Sequence, residues 1–391
     1  MANSAQVIIV GGGMVGAALA ASLGQAGLGV ALVESGAAPT LPDDDGFDLR
    51  VSSLNLAAER LLAEVGAWEN IPQDRRCAFR RIHGWSQQGR GEAHFDAESL
   101  GHDAFGSFVE NRWIRAALWA RLAELPTVTC HCGVRPMVLR QAAGEAELEL
   151  DDGTRLNAAL VVGADGARSA LRELAGIAVE SGDYDQRALV INVATRLPQQ
   201  DVSWQCFTPE GPQAMLPLPG HHASLVWYGK PDTITALEQL DPEALRVAVE
   251  HDFPARLGGL EAVLGCASFP IRRQHARRYS AARCVLIGDA AHVISPLAGQ
   301  GLNLGLQDVI ALSERLVAAH RRGQDLGSDR VLDGYARQRR PQTLAMIAAT
   351  ELLHRVFTGA PPLRRLGSLG LAVTQRLPLA KRLMMRQAMG L

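Results

Sequence analysis

Glycines at positions 11, 13 and 16 follow a short apolar run in "VIIVGGGMVG". This spacing suits a loop that holds the pyrophosphate of a dinucleotide. Gly11 allows a tight turn, Gly13 lets backbone approach the phosphates, and Gly16 lets a helix pack close to the strand. The helix beginning there would offer unpaired N–H groups and the positive end of its dipole. Glu34 lies 18 residues after Gly16. A carboxylate at that distance accepts hydrogen bonds from ribose hydroxyls and repels a 2′-phosphate. NADP is therefore disfavoured at this loop, while NAD and FAD both remain open.

A second chemical stretch, "GDAAHVISPLAGQGLNLGLQD", spans 288–308. A buried strand would end at Gly288, placing the Asp289 carboxylate where it suits a polyol hydroxyl such as those of a ribityl chain. Pro296 and Gly299 to Gly301 would form a loop of approachable backbone, and a helix would start near Leu302. Its N-terminus would stabilise a flavin edge that becomes negative on reduction. NAD has no part that needs this distant second site, so FAD is favoured. "GADGARSALR" (163–172) is a third stretch of the same kind.

These loops need strands and helices to hold them. Gln6 to Val10, a helix over 14–25 and "VALVE" (30–34) read as a βαβ unit. Helices are expected over 51–65, 108–125 and 302–321. A hairpin turning at Asp152-Gly153 is expected within 146–165. Between about 189 and 270 strand-like pieces dominate, with a helical patch near 234–250, which suggests a mainly antiparallel second domain. The expected fold is α/β: a Rossmann-like nucleotide-binding domain (1–75, 101–180, 276–340), an inserted antiparallel domain for substrate (76–100, 181–275) and a helical C-terminal segment (341–391).

Bulk composition narrows the class. The 391 residues are 47% hydrophobic and 20% charged, with net charge −2. These values fit a soluble globular chain of two or three domains and give no sign of nucleic-acid binding. The six cysteines imply no disulfide framework, and Cys130 and Cys132 lack the spacing of a zinc pair. No metal cluster and no Ser-His-Asp triad are evident. No secretory signal and no bilayer-spanning run are visible, so a cytoplasmic location is expected.

Together, in this order and spacing, the three motifs resemble the FAD-dependent aromatic hydroxylases of the para-hydroxybenzoate hydroxylase fold, over roughly residues 7–341. The likeness is strongest to the hydroxylases of ubiquinone biosynthesis, through "GDAAHVISPLAGQGLNLG". "WQCFTPEGPQAMLPL", "ASLVWY" and "FPIRRQHA" resemble the branch that acts on 2-polyprenyl-3-methyl-6-methoxy-1,4-benzoquinol. The resemblance implies FAD contacts at Gly11, Gly13, Gly16, Glu34, Asn111, Arg115, Val134, Asp165, Asp289, Gly299, Gly301 and Asn303. It sets Arg50 near the flavin ring, with Pro296, as the pair closest to the chemistry.

It also implies NAD(P)H as electron donor, O2 as co-substrate, and hydroxyl transfer to an electron-rich ring by way of a C4a-hydroperoxyflavin. No residue stands out as a ring-deprotonating base; His83, His221, His222 and Tyr228 qualify by type only, and His292 reads as a packing or hydrogen-bonding residue. From Glu351 onward seven Arg or Lys face one acidic residue in a Leu-rich stretch. Short basic amphipathic helices there would suit the inner face of a membrane, where a prenylated substrate resides and other ubiquinone-biosynthesis proteins could be met. Two other functions stay open: hydroxylation of a soluble aromatic acid, and a flavin-binding subunit that holds a biosynthetic complex together.

Overall fold

The computed structural model describes residues 5–42, 46–87, 91–198, 200–254, 256, 258–296 and 299–391. The opening strand Val7–Val10 is wholly buried and lies between Val30–Glu34 and Leu160–Gly163, parallel to both. Four consecutive apolar residues without alternation are what a strand buried on both faces requires. Val128–Cys132 extends this sheet on one side and Cys284–Leu286 with Ser280–Ala281 on the other, giving six strands. Helices Met14–Gln25 and Gly301–Arg321 pack against each other, and both contribute residues to one core with these strands. The Ala-rich composition of the first helix lets it lie close.

The expected hairpin is present: Ala146–Leu150 pairs with Arg155–Ala158 around the Asp152-Gly153 turn. Two expected helices are shorter than the sequence suggests. Residues 51–55 form a strand, and the helix Leu56–Glu64 begins only after Asn55, whose side chain accepts from the Ala58 N–H as an N-cap. Residues 108–110 likewise belong to strand Gly106–Glu110, and the helix is Asn111–Ala123. The two strands pair with each other, Val51 opposite Glu110. Pairing with a distant segment overrode the apolar spacing that looked helical.

An eight-stranded sheet, almost wholly antiparallel, takes its strands from two parts of the chain, 81–96 and 179–293. One face bears Leu189, Ile191, Leu225 and Trp227, which pack with Ile234, Leu245 and Val249 of helices Pro231–Glu238 and Pro242–Asp252. Segment 47–50 is fastened to this sheet: Asn192 Nδ2 donates to Asp48 O at 3.0 Å, and the Phe47 ring lies 4.6 Å from that of His222.

Helix Asp329–Thr358 runs through Pro341, so the expected helical segment begins earlier than 341. Pro361 and Pro378, in contrast, start new helices, Pro361–Arg376 and Pro378–Met389. Both are placed where proline's missing N–H costs nothing. Among the described residues no helix is long and apolar enough to cross a membrane.

Candidate functional site

The first glycine loop is held from three sides. A Cβ on Gly16 would lie 1.9 Å from Gly11 O, and one on Gly11 would lie 2.4 Å from Ala164 O. Gly11 also has φ +106°, which side chains resist. These two glycines are therefore required by packing. Gly13 differs: no heavy atom lies within 4 Å of a Cβ placed there. No side chain caps the helix that follows it. An open backbone edge with uncapped N–H groups is a cradle for phosphate.

Glu34 closes this loop. Its Oε2 accepts from Gly12 N–H at 2.6 Å and its Oε1 from Gly36 N–H at 2.9 Å. Arg115 joins them, with Nε 3.3 Å from Gly12 O and a guanidinium nitrogen 3.5 Å from Glu34 Oε1. Trp119 Nε1 donates to the same Gly12 carbonyl at 2.8 Å. Oε1 is also approached by Ser35 Oγ at 3.5 Å, whereas Oε2 has Gly12 N–H as its one hydrogen-bond donor among the described residues and keeps acceptor capacity. Val134 N–H donates to Glu34 O at 3.3 Å.

The second loop meets the first directly. A Cβ on Gly305 would lie 2.7 Å from Val15 Cγ2, and one on Gly288 would lie 3.2 Å from Val15 Cγ1. Two stretches nearly 300 residues apart thus share one wall. Asp289 is exposed in a short 3-10 turn, Gly288–Ala290, between two buried residues. Lost hydration raises its carboxyl pKa, with His292 opposing the shift. An accessible carboxylate at a strand end suits a polyol that can donate hydrogen bonds. Gly299 N–H closes a turn on Pro296 O at 2.9 Å, and no heavy atom lies within 4 Å of a Cβ built on Gly301, where the uncapped helix begins.

Other expected site residues are committed differently. Asn303 is buried; its Oδ1 accepts from Asn55 N–H at 3.1 Å and its Nδ2 donates to Ser53 O at 2.8 Å and Gln300 Oε1 at 3.3 Å. Its side chain ties the helix start to strand Val51–Asn55, which leaves its backbone for a cofactor. Asp165 accepts from Ser169 Oγ and from Leu171 N–H, so its carboxylate caps helix Ala170–Leu174. Asn111 Oδ1 accepts from Ser52 Oγ at 2.6 Å, and Asn111 N–H donates to Arg50 O at 2.8 Å. That places Arg50 at the mouth of the second loop's neighbour strand, its guanidinium exposed and without a hydrogen bond among the described residues.

The sequence reading missed the device beneath the second loop. Asp308, fully buried, accepts from Gly288 N–H at 3.0 Å, lies 2.6 Å from His292 Nε2, and receives Arg339 Nε at 2.7 Å. Burial alone would raise its pKa, but His292 and Arg339 outweigh burial and hold it below the usual carboxylate range. His292 is thus a hydrogen-bonding residue, as expected. The signal available was an acid in a helix otherwise apolar on that face.

None of the candidate bases has the required setting. Tyr228 is buried and its hydroxyl pKa is pushed up by lost hydration. His221 and His222 face the carbonyls of Thr195 and Pro219. His83 is stacked on His94, with ring centroids 3.8 Å apart.

Known proteins fit this arrangement. A family model described as an FAD binding domain matches residues 4–350. The chain is 38% identical over 389 residues to the 3-demethoxyubiquinol 3-hydroxylase of Escherichia coli, covering 99% of this chain and 98% of that protein. It is also 38% identical to the ubiquinone hydroxylase UbiL of Rhodospirillum rubrum, covering 99% and 90%. Among solved structures, PqsL, a probable FAD-dependent monooxygenase from Pseudomonas aeruginosa, superposes with a TM-score of 0.78 at 24% identity, covering 94% of this chain and 99% of that one. At that identity the likeness shows the fold.

Proposed function

Because the chain belongs to the FAD-binding hydroxylases of ubiquinone biosynthesis, we propose that it hydroxylates the ring of a polyprenylated benzoquinol at a membrane surface. The observation that carries this reading is the shared wall of Val15, Gly288 and Gly305, which joins both loops into one continuous cradle. The flavin, when bound, supplies the redox chemistry, taking electrons from NAD(P)H and activating O2.

The chain's own residues bind and orient. Glu34 accepts the ribose hydroxyls, and the open Gly13 edge with Arg115 receives the phosphates. Asp289 accepts from the ribityl chain. The uncapped N-terminus of helix Gly301–Arg321 favours negative charge on the ring as it is reduced. Arg50 and the Pro296–Gly299 turn flank the position where the ring would lie. No side-chain base is needed, since the oxygens of a quinol already enrich its ring in electrons.

Helices Pro361–Arg376 and Pro378–Met389 fit the membrane part of the reading. Met385 and Met389 are buried, while Leu379 is 77% exposed and Leu383 69% exposed. Leu366 and Leu369 are exposed too, with Arg364, Arg365, Arg376, Lys381, Arg382 and Arg386 nearby in sequence. Apolar side chains among basic ones suit an anionic lipid surface, where each basic residue adds about 1 kcal/mol.

The test is a flavin-loaded preparation supplied with NAD(P)H, O2 and a short-chain prenyl benzoquinol. A product heavier by one oxygen is expected, along with flotation on anionic vesicles that Leu379→Glu/Leu383→Glu abolishes. Turnover on a soluble aromatic acid but not the quinol would overturn the substrate. Bound flavin that turns over with neither would leave the assembly role.

A further inference from the structure

Strands Arg81–Ser86 and Glu92–Asp96 pair antiparallel with His83 directly opposite His94. Glu92, two residues from His94, projects from the same face of its strand. His83 Nε2 and His94 Nε2 each lie 3.5 Å from Glu92 Oε2, and one ligand atom from each of the three residues falls within 4.8 Å of the other two. A tetrahedral cation with bonds of about 2.0–2.1 Å holds its ligand atoms roughly 3.4 Å apart. The two shorter separations already have that length.

His83 makes this more than a surface cluster. Its side chain is 3% exposed, and its buried Nε2 has only the long 3.5 Å approach to Glu92 Oε2 to satisfy it. His94 and Glu92 are 52% and 55% exposed, so a cation could enter from solvent and keep water in its fourth position. His94 must tilt out of its stack to aim its lone pair, and its exposure permits that.

We propose that His83, Glu92 and His94 form a site for a zinc-class divalent cation. Two imidazoles and one carboxylate suit zinc, whereas magnesium and calcium prefer oxygen ligands throughout. The inference does not rest on the proposed hydroxylation. The site lies on the sheet face that carries Trp85 and Trp204, while Ile82 and Phe95 on the opposite face pack with Met385 and Met389.

A competitor is built in. Arg256 Nη1 lies 2.6 Å from His83 Nδ1, and its guanidinium stacks 4.5 Å from the Trp85 ring. Arginine can only donate, so Nδ1 accepts and the proton of neutral His83 sits on Nε2. A cation at Nε2 needs the proton moved to Nδ1, and Arg256 must then withdraw. The two occupants exclude each other.

Cation binding would staple the edge strand to its neighbour. That edge also holds helix Pro361–Arg376: His94 N–H donates to Gln375 Oε1 and Gly91 N–H to Ser368 Oγ, each at 3.0 Å. A bound cation would therefore stiffen the platform of one of the two exposed basic helices.

The test is calorimetric titration of the metal-stripped, flavin-retaining protein with zinc, and separately with magnesium. Zinc should bind saturably at one site and raise the melting temperature; magnesium should do neither. His94→Ala and Glu92→Gln alter exposed residues and should each weaken zinc on the order of tenfold or more. Arg256→Ala should tighten it several-fold, an effect a merely structural cluster would not show. Saturable zinc binding that His94→Ala leaves unchanged, or no binding in either wild type or Arg256→Ala, overturns the proposal. Loss of binding in Cys130→Ser/Cys132→Ser would reassign the zinc to that exposed pair and also overturn it.

Discussion

The two loops of the cofactor cradle are shaped by opposite means. The loop at Gly11 to Gly16 is defined by absent side chains: backbone passes so close that a single Cβ at Gly16 would sit 1.9 Å from a carbonyl oxygen. The loop from Gly288 to Asn303 is defined by buried charge, with Asp308 gripping Gly288, His292 and Arg339 at once. Steric shaping is insensitive to pH and salt but tolerates no added atom. Ionic shaping tolerates volume but answers to protonation. Which loop fails, and how, should therefore depend on the perturbation.

The largest effect is expected at the sterically shaped loop. Gly16→Ala should abolish retention of flavin, read as loss of the visible absorbance after purification, because the clash is with backbone that cannot yield. Far-UV circular dichroism should stay native-like. A variant that keeps half or more of its flavin would show that the loop shifts as easily as its partner, and the contrast would fail.

At the ionic loop the expected loss is in folding. Asp308→Asn leaves Arg339, itself 3% exposed, as an uncompensated buried charge. Breaking one side of such a pair costs roughly 3–5 kcal/mol. Urea unfolding should show it. Acid should mimic it. Asp308's native pKa is depressed, so its contribution is complete above the unfolded value of about 3.9 and disappears as pH falls through the native value. The wild type should thus have a steep acid limb below about pH 4 that Asp308→Asn flattens and Gly16→Ala leaves unchanged.

Asp289 has the opposite sign. Its native pKa is raised, so the charged form is a cost to the empty protein once pH exceeds the unfolded value. Asp289→Asn should stabilise the flavin-free protein at neutral pH while weakening FAD. Both readouts falling together would deny that this carboxylate is kept for a ligand.

This contrast also explains what the sequence made legible. Glycine spacing and Glu34 announced the first loop because steric shaping leaves a local signature in residue type. The helix Met14–Gln25 was readable to its ends for the same reason. Asp308 was invisible as an anchor because its partners come from 16 to 31 residues away, on a turn and on a different helix. Asn303 and Asp165 looked like cofactor contacts, yet their side chains serve neighbouring backbone; sequence position does not say how a hydrogen-bonding group is already spent. The short strand Val51–Asn55 carries helical spacing in the sequence, and the partner that makes it a strand, Gly106–Glu110, is more than 50 residues away. His83, Glu92 and His94 matched no metal motif, since a cross-strand register created their proximity.

The smallest effect is expected at Glu34, where both kinds of shaping meet. Its two oxygens hold Gly12 and Gly36 and, under the proposed function, would also receive the ribose. Glu34→Gln replaces one acceptor by a donor and should weaken FAD about tenfold, the loss of a charged hydrogen bond of roughly 1.5 kcal/mol. Loss of loop shape and loss of ribose contact would look alike in that single number. Binding of FAD and of its adenosine 2′-deoxy analogue to wild type and Glu34→Gln separates them. If the carboxylate touches the hydroxyl, removing both partners costs less than the two single losses combined. If the losses simply add, Glu34 shapes the loop alone, and the first loop is as purely steric as its glycines suggest.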